Sequence, residues 1–160
     1  QDLINSIQDL FDEVPDTDIS RQAFAGLKGK LAWPVQGQVR RLFGRQKPSS
    51  DLRWQGVVIE AQSGTPVMAV SHGRVAFADW LRGMGNLIII DHGNSYLSLY
   101  GHNESLFKNA GEWVEAGDVI ASIGSSGGQN KAGLYFEIRK RGKPQNPTNW
   151  CKSGNSFASG

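Results

Sequence analysis

The segment GLYFEIRK, residues 133–140, alternates Leu134, Phe136 and Ile138 with Tyr135, Glu137 and Arg139, the two-residue period of a strand with one apolar and one polar face. A phenol, a carboxylate and a guanidinium on one face can move a proton, hold an ion or grip a charged partner, and the same row can equally be a solvated surface. Imidazole is the other group able to do chemistry near neutral pH. Of the three histidines, His72 sits in the turn SHGRV and reads as solvated, and His92 closes a strand before a Gly-Asn turn and reads as structural. His102, in LYGHNES just after a strand, is the candidate functional imidazole. A catalytic zinc takes three protein ligands and keeps an open position, so one such histidine does not make a site. The single cysteine, Cys151, permits no internal disulfide and reads as a buried structural thiol.

The elements that must position these groups are short strands. Signals recur at VVIEA (57–61), PVMAV (66–70), GRVAFADW (73–80), NLIIIDH (86–92), SYLSLYG (95–101), DVIASIG (118–124) and LYFEIRK (134–140), punctuated by Gly, Asn, Asp and Ser. Twenty glycines in 160 residues fit many tight turns, and no helix of normal length competes between Leu31 and Trp150. The expected class is therefore all-β, with a short N-terminal helix: Leu3, Ile4, Ile7, Leu10, Phe11 and Val14 share a helical face that Pro15 ends. Three segments follow: an amphipathic helix and linker over 1–30, a β body over 31–150 and a flexible tail over 151–160. The helix can be a coiled-coil remnant, a linker or a lid on the body, and a start at Gln1 points to a fragment or processed form.

A formal charge of +2 with scattered basic residues gives nucleic acid little support, and no apolar run has transmembrane length. GSSGG (124–128) lacks the lysine and helix of a phosphate-cradling loop and reads as a hairpin turn. WVEAGDVIASIG is similar to hairpins of biotinyl and lipoyl carriers, without a lysine at the turn to modify.

GTPVMAVSHGRVAFADW, GNLIIIDHGNSYLSLYGHN, WVEAGDVIASIGSSGG and LYFEIR, in that order, resemble the LytM-type, M23-family zinc endopeptidases of the bacterial cell wall over about residues 31–150. The resemblance implies an antiparallel, barrel-sandwich-like β body and a cleft that holds zinc through two histidines and an aspartate. It also implies that this chain has lost that set. Trp54 and Val58 stand where the family has its first histidine and its aspartate, Tyr135 replaces the last histidine ligand, and Gly133 replaces a catalytic histidine. Only His102 is kept. Indole and isopropyl groups offer a cation no lone pair, and a neutral phenol is a poor substitute for imidazole, so no metal, no cofactor and no peptidase activity are expected.

Strand periodicity puts Trp54 with Val58, and Tyr135 with Glu137 and Arg139, along the former cleft. Tyr100 is expected to share a face with His102, Gln55 adjoins Trp54, and the loop WLRGMGNL offers Met84 and Leu87. Trp, Tyr and Arg dominate protein interfaces, so these ten residues form a candidate partner-binding groove, with Arg139 facing a partner carboxylate. Trp54 and Tyr135 can instead simply fill the space of the lost metal. The segments LKGKLAWPV, LRWQGVVIEA, SLYGHNESL and LYFEIRKRGKPQNP are most similar to degenerate LytM-type domains that activate cell-wall amidases. That resemblance implies a periplasmic protein at the division septum, and N-acetylmuramoyl-L-alanine amidases of the AmiA/AmiB type as partners. Divisome components reached through an upstream coiled coil, and peptidoglycan itself, are further candidates. The alternatives are an atypical zinc endopeptidase around His102 and a passive peptidoglycan-binding module.

Overall fold

The computed structural model describes residues 23–47 and 52–152, so the amphipathic stretch over 2–14 and the last eight residues lie outside the described part. Valine, isoleucine and aromatic runs between Gly-rich turns satisfy their backbone groups by laddering, and ten strands result among the described residues. They are β1 (Gln38–Arg40), β2 (Val57–Glu60), β3 (Pro66–Met68), β4 (Gly73–Leu81), β5 (Gly85–Gly93), β6 (Tyr96–Leu106), β7 (Trp113–Val114), β8 (Val119–Ile123), β9 (Gly133–Lys140) and β10 (Lys143–Gln145). One helical turn, α1 (Pro147–Trp150), follows, started by the Asn146 side chain accepting from the Thr148 N–H at 3.1 Å. Each of the seven strand signals in the sequence corresponds to a strand within a few residues, and the fold is all-β as expected.

The sheet runs β1-β2-β9-β6-β5-β4-β7, and every strand pair is antiparallel. β6 pairs with β9 over Tyr96–Gly101 and then with β8 over Asn103–Leu106, so its partner changes at His102. β5 shows why the run LIII carries no alternation. Ile88 and Ile90 enter a large cluster with Tyr100, Phe136 and Ile138, whereas Leu87 and Ile89 enter a smaller one with Met84, Leu97, Leu99 and Tyr135. A strand covered on both faces has no reason to place a polar residue on either. Phe136, fully buried with its ring centroid 5.4 Å from that of Tyr100, contributes about 2–3 kcal/mol through its buried apolar area.

A polar chain crosses the larger cluster. The Val70 N–H donates to the Tyr100 hydroxyl (3.2 Å), Tyr100 donates to Ser98 Oγ (2.8 Å), Ser98 donates to His92 Nε2 (2.7 Å), and His92 Nδ1–H donates to the His72 carbonyl (2.9 Å). Only this direction satisfies every member, because Val70 N–H can only donate and the His72 carbonyl can only accept. Burial lowers the His92 pKa to about 4, so the ring stays neutral and stacks on Phe24 at 4.5 Å. His92 is thus the structural histidine its sequence context suggested. Cys151 is buried, as expected of a lone thiol, and its N-terminal neighbour Trp150 stacks on Phe24 at 5.0 Å.

Candidate functional site

β9 presents Tyr135 and Glu137 on the face opposite Leu134 and Phe136, as the alternation requires. Val58 of β2 is the register partner of Tyr135. Trp54 arrives from a hairpin closed by Trp54 N–H to Arg45 carbonyl (2.8 Å), Lys47 N–H to Leu52 carbonyl (2.8 Å) and the Gln46–Arg53 bridge. Its ring lies 6.4 Å from that of Tyr135 and has the Lys47 ammonium 4.8 Å from its centroid. Around these groups a cleft of about 170 Å³ is lined by Lys47, Leu52, Arg53, Trp54, Gln55, Val58, Gly83, Met84, His102, Gln129, Tyr135 and Glu137. That is below the roughly 300–1,000 Å³ of pockets that enclose a small molecule, and suits one or two inserted side chains.

The polar floor is internally satisfied. Tyr135 donates its hydroxyl proton to Glu137 Oε2 at 2.5 Å, and Arg139 Nε donates to Glu137 Oε1 at 2.6 Å. The remaining arms of Arg139 donate to Gln55 Oε1 (2.6 Å) and to the Gly142 carbonyl (3.0 Å). Burial, reinforced by the neighbouring Glu137 carboxylate, holds the Tyr135 hydroxyl well above the usual phenol range, so it remains a proton donor. His102 adopts a positive φ of 66° and accepts its position from two bonds: its N–H to the Met84 carbonyl (2.7 Å) and its Nδ1–H to the Ser126 carbonyl (2.8 Å). Ser126 is fixed in turn by donating to the Asn103 carbonyl (2.6 Å) and accepting from the Asn86 N–H (3.0 Å). Burial lowers the His102 pKa, which leaves a neutral ring with its Nε2 lone pair unengaged among the described residues.

Of the ten sequence candidates, seven line the cleft: Trp54, Gln55, Val58, Met84, His102, Tyr135 and Glu137. Three are corrected. Tyr100 points into the opposite cluster, because the positive φ at His102 breaks the alternation that would have put both residues on one face. Leu87 is fully buried in the smaller cluster and has no surface to offer. Arg139 is 3% exposed and engaged by Glu137, Gln55 and Gly142, so it holds the floor together rather than reaching for a partner carboxylate. Lys47, Leu52, Arg53, Gly83 and Gln129 were missed. The turn-rich stretch QKPSSDLR was the available signal for the first three. His72 is also corrected from a solvated turn residue: it pairs with Glu115 at 3.1 Å and stacks on Trp113 at 5.3 Å.

Zinc does not fit this donor set. Trp54 and Val58 have no lone pair to give, the Tyr135 proton is held by Glu137, and both Glu137 oxygens are taken. Among the described residues no group of three His, Cys, Asp or Glu side chains is placed to hold a metal ion.

Residues 52–147 match the profile of Peptidase family M23, and the chain belongs to that family. It is 46% identical over 123 residues to the murein hydrolase activator EnvC of Escherichia coli, covering 77% of this chain and 29% of that protein. It is 40% identical over 116 residues to the murein hydrolase activator NlpD of the same organism, covering 72% of this chain and 29% of that one. The chain thus spans less than a third of either relative. A solved M23 peptidase of Pseudomonas aeruginosa shares the fold, with a TM-score of 0.73 at 18% identity over 95% of this chain and 60% of that one.

Proposed function

We propose that this domain is a non-catalytic activator of cell-wall amidases. It works in the cell envelope, at the division septum, on N-acetylmuramoyl-L-alanine amidases of the AmiA/AmiB type. The observation that carries this reading is the cleft floor: where an M23 hydrolase needs electron-pair donors, the chain has an indole, an isopropyl group and a phenol tied to a neutralised carboxylate. Without a cation to activate water, the His102 imidazole has no nucleophile to assist. What remains is a small aromatic cleft with Lys47 and Arg53 on its rim, a shape that takes apolar side chains and favours carboxylates around them. The named activators among its relatives point the same way.

An activator must bind the active state of its target better than the inactive one. Capturing an amidase segment that otherwise covers the amidase's own active site does this, with Trp54, Met84 and Tyr135 burying the segment's apolar residues. The test mixes this chain with such an amidase and follows dye release from labelled peptidoglycan. Stimulation by the intact chain, lost in Trp54→Ala with an unchanged unfolding midpoint, supports the reading. Stimulation that survives Trp54→Ala rejects the cleft, and dye release by this chain alone rejects the non-catalytic assignment.

A further inference from the structure

The aromatic cleft also holds a nitrogen without a partner. The His102 Nδ1–H donates to the Ser126 carbonyl at 2.8 Å, and a carbonyl can only accept, so in the neutral ring Nε2 is the bare nitrogen. Nε2 has no hydrogen bond among the described residues. It keeps a path to solvent, because the one side-chain nitrogen or oxygen sealed from solvent without a partner among the described residues is Asn103 Oδ1. His102 lines the cleft, 9% exposed and with its ring centroid 6.3 Å from that of Tyr135, so the cleft is that path. The other side-chain acceptors there are taken or outside: Glu137 by Tyr135 and Arg139, Gln55 Oε1 by Arg139, while Gln129 is exposed. The backbone sets the position apart too. φ at His102 is 66°, a region that Gly or Asn enters at less cost, so the turn of the chain does not itself call for an imidazole.

An acceptor in an apolar cleft becomes costly when an incoming chain strips away its water without offering a proton. A segment that brings a donor to Nε2 avoids that loss and gains a bond; a purely apolar segment does not. The surrounding charges narrow the donor. Lys47 and Arg53 line the same cleft, and the Glu137 carboxylate is already met by Arg139 at 2.6 Å, so an ammonium or guanidinium is disfavoured. We propose that His102 is the specificity-determining residue of the cleft: its Nε2 accepts a hydrogen bond from a neutral side-chain donor, a carboxamide or hydroxyl, set among the apolar residues of the captured amidase segment. This donor requirement rests on the cleft reading above and goes beyond apolar burial. Trp54, Met84 and Tyr135 accept apolar surface of many sequences, and one directed bond to His102 selects among them.

His102→Asn is the test variant, since Asn tolerates the same φ and its amide can donate to the Ser126 carbonyl in place of Nδ1, while nothing replaces Nε2. Affinity for an amidase of the AmiA/AmiB type, measured by isothermal titration calorimetry, is expected to fall about tenfold with the fold intact. In a double-mutant cycle, one Asn, Gln, Ser or Thr of the amidase segment should cost about tenfold when changed to Ala against the intact chain, and nothing further against His102→Asn. In the intact chain, the Nε2 resonance should move upfield when the amidase binds, the signature of an accepted bond, which reads the contact without any variant. Trp54→Ala, run beside these, tests the cleft itself. Loss in Trp54→Ala with full affinity in His102→Asn would overturn the donor requirement and spare the cleft; full affinity in both would overturn both. An Nε2 resonance unmoved by saturating amidase, or a cycle in which no neutral donor couples to His102, would equally overturn it.

Discussion

Arg139→Ala is expected to destabilise the fold by about 3–5 kcal/mol, because it leaves the carboxylate of Glu137 buried without its counter-ion. The figure follows from burial: the two side chains are 4% and 1% exposed, so solvent screens their attraction very little. Three donated bonds disappear together, to Glu137, Gln55 and Gly142, and only the Tyr135 hydroxyl continues to hold the carboxylate. The net loss is smaller than the sum of three charged hydrogen bonds, since water replaces some of them and Gln55 can turn outward. Against a total stability of roughly 5–15 kcal/mol the effect is large, and for a chain of this size it lowers the melting temperature by roughly 6–20 °C. Urea titration followed by tryptophan fluorescence measures it. The double variant Glu137→Gln, Arg139→Met should recover part of the loss, because it removes both charges instead of one. A cost below about 1 kcal/mol for Arg139→Ala, or a double variant worse than the sum of its singles, would refute the idea that this pair is a buried, mutually dependent unit.

Stability should also depend on pH through His92. Its pKa is lowered to about 4 in the folded state from 6.5, so the unfolded chain binds more protons between these values. The stabilisation is complete above pH 6.5 and is lost by up to about 3 kcal/mol as pH falls to 4. A His92 ring signal that titrates near 6.5 in the folded protein would contradict this. Gly85→Ala should cost about 2 kcal/mol, because Gly85 has a φ of 67° and an added methyl would collide with Ser126. The His102 Nδ1 resonance should shift in the same variant as the Ser126 carbonyl moves; an unmoved resonance would mean the loop does not set the imidazole. Charge reversal by Lys47→Glu with Arg53→Glu should slow amidase association by about tenfold at low salt and remove its salt dependence.

The long strands were legible because their residues repeat at a period that only a pleated backbone explains, as in β4 and β9. β1, β7 and β10, of two or three residues each, were not, since edge pairs that short leave no periodic trace. The cleft was half legible. Tyr135 and Glu137 follow from alternation, and Trp54 and Val58 from the family frame. Tyr100 failed because one residue at positive φ reverses facing, and His102 is held there by Met84 and Ser126, contacts that no local pattern announces. Arg139 failed for a related reason: a charged residue on a strand's polar face reads as exposed until Gln55, 84 positions away, is seen to cover it.

The most direct measurement places a photoactivatable phenylalanine at Trp54, on the wall of the cleft, and irradiates the chain in the presence of its amidase. The account predicts a crosslink to a single amidase segment that covers the amidase's active site in its resting form. Activation that proceeds with no crosslink from this position would contradict it.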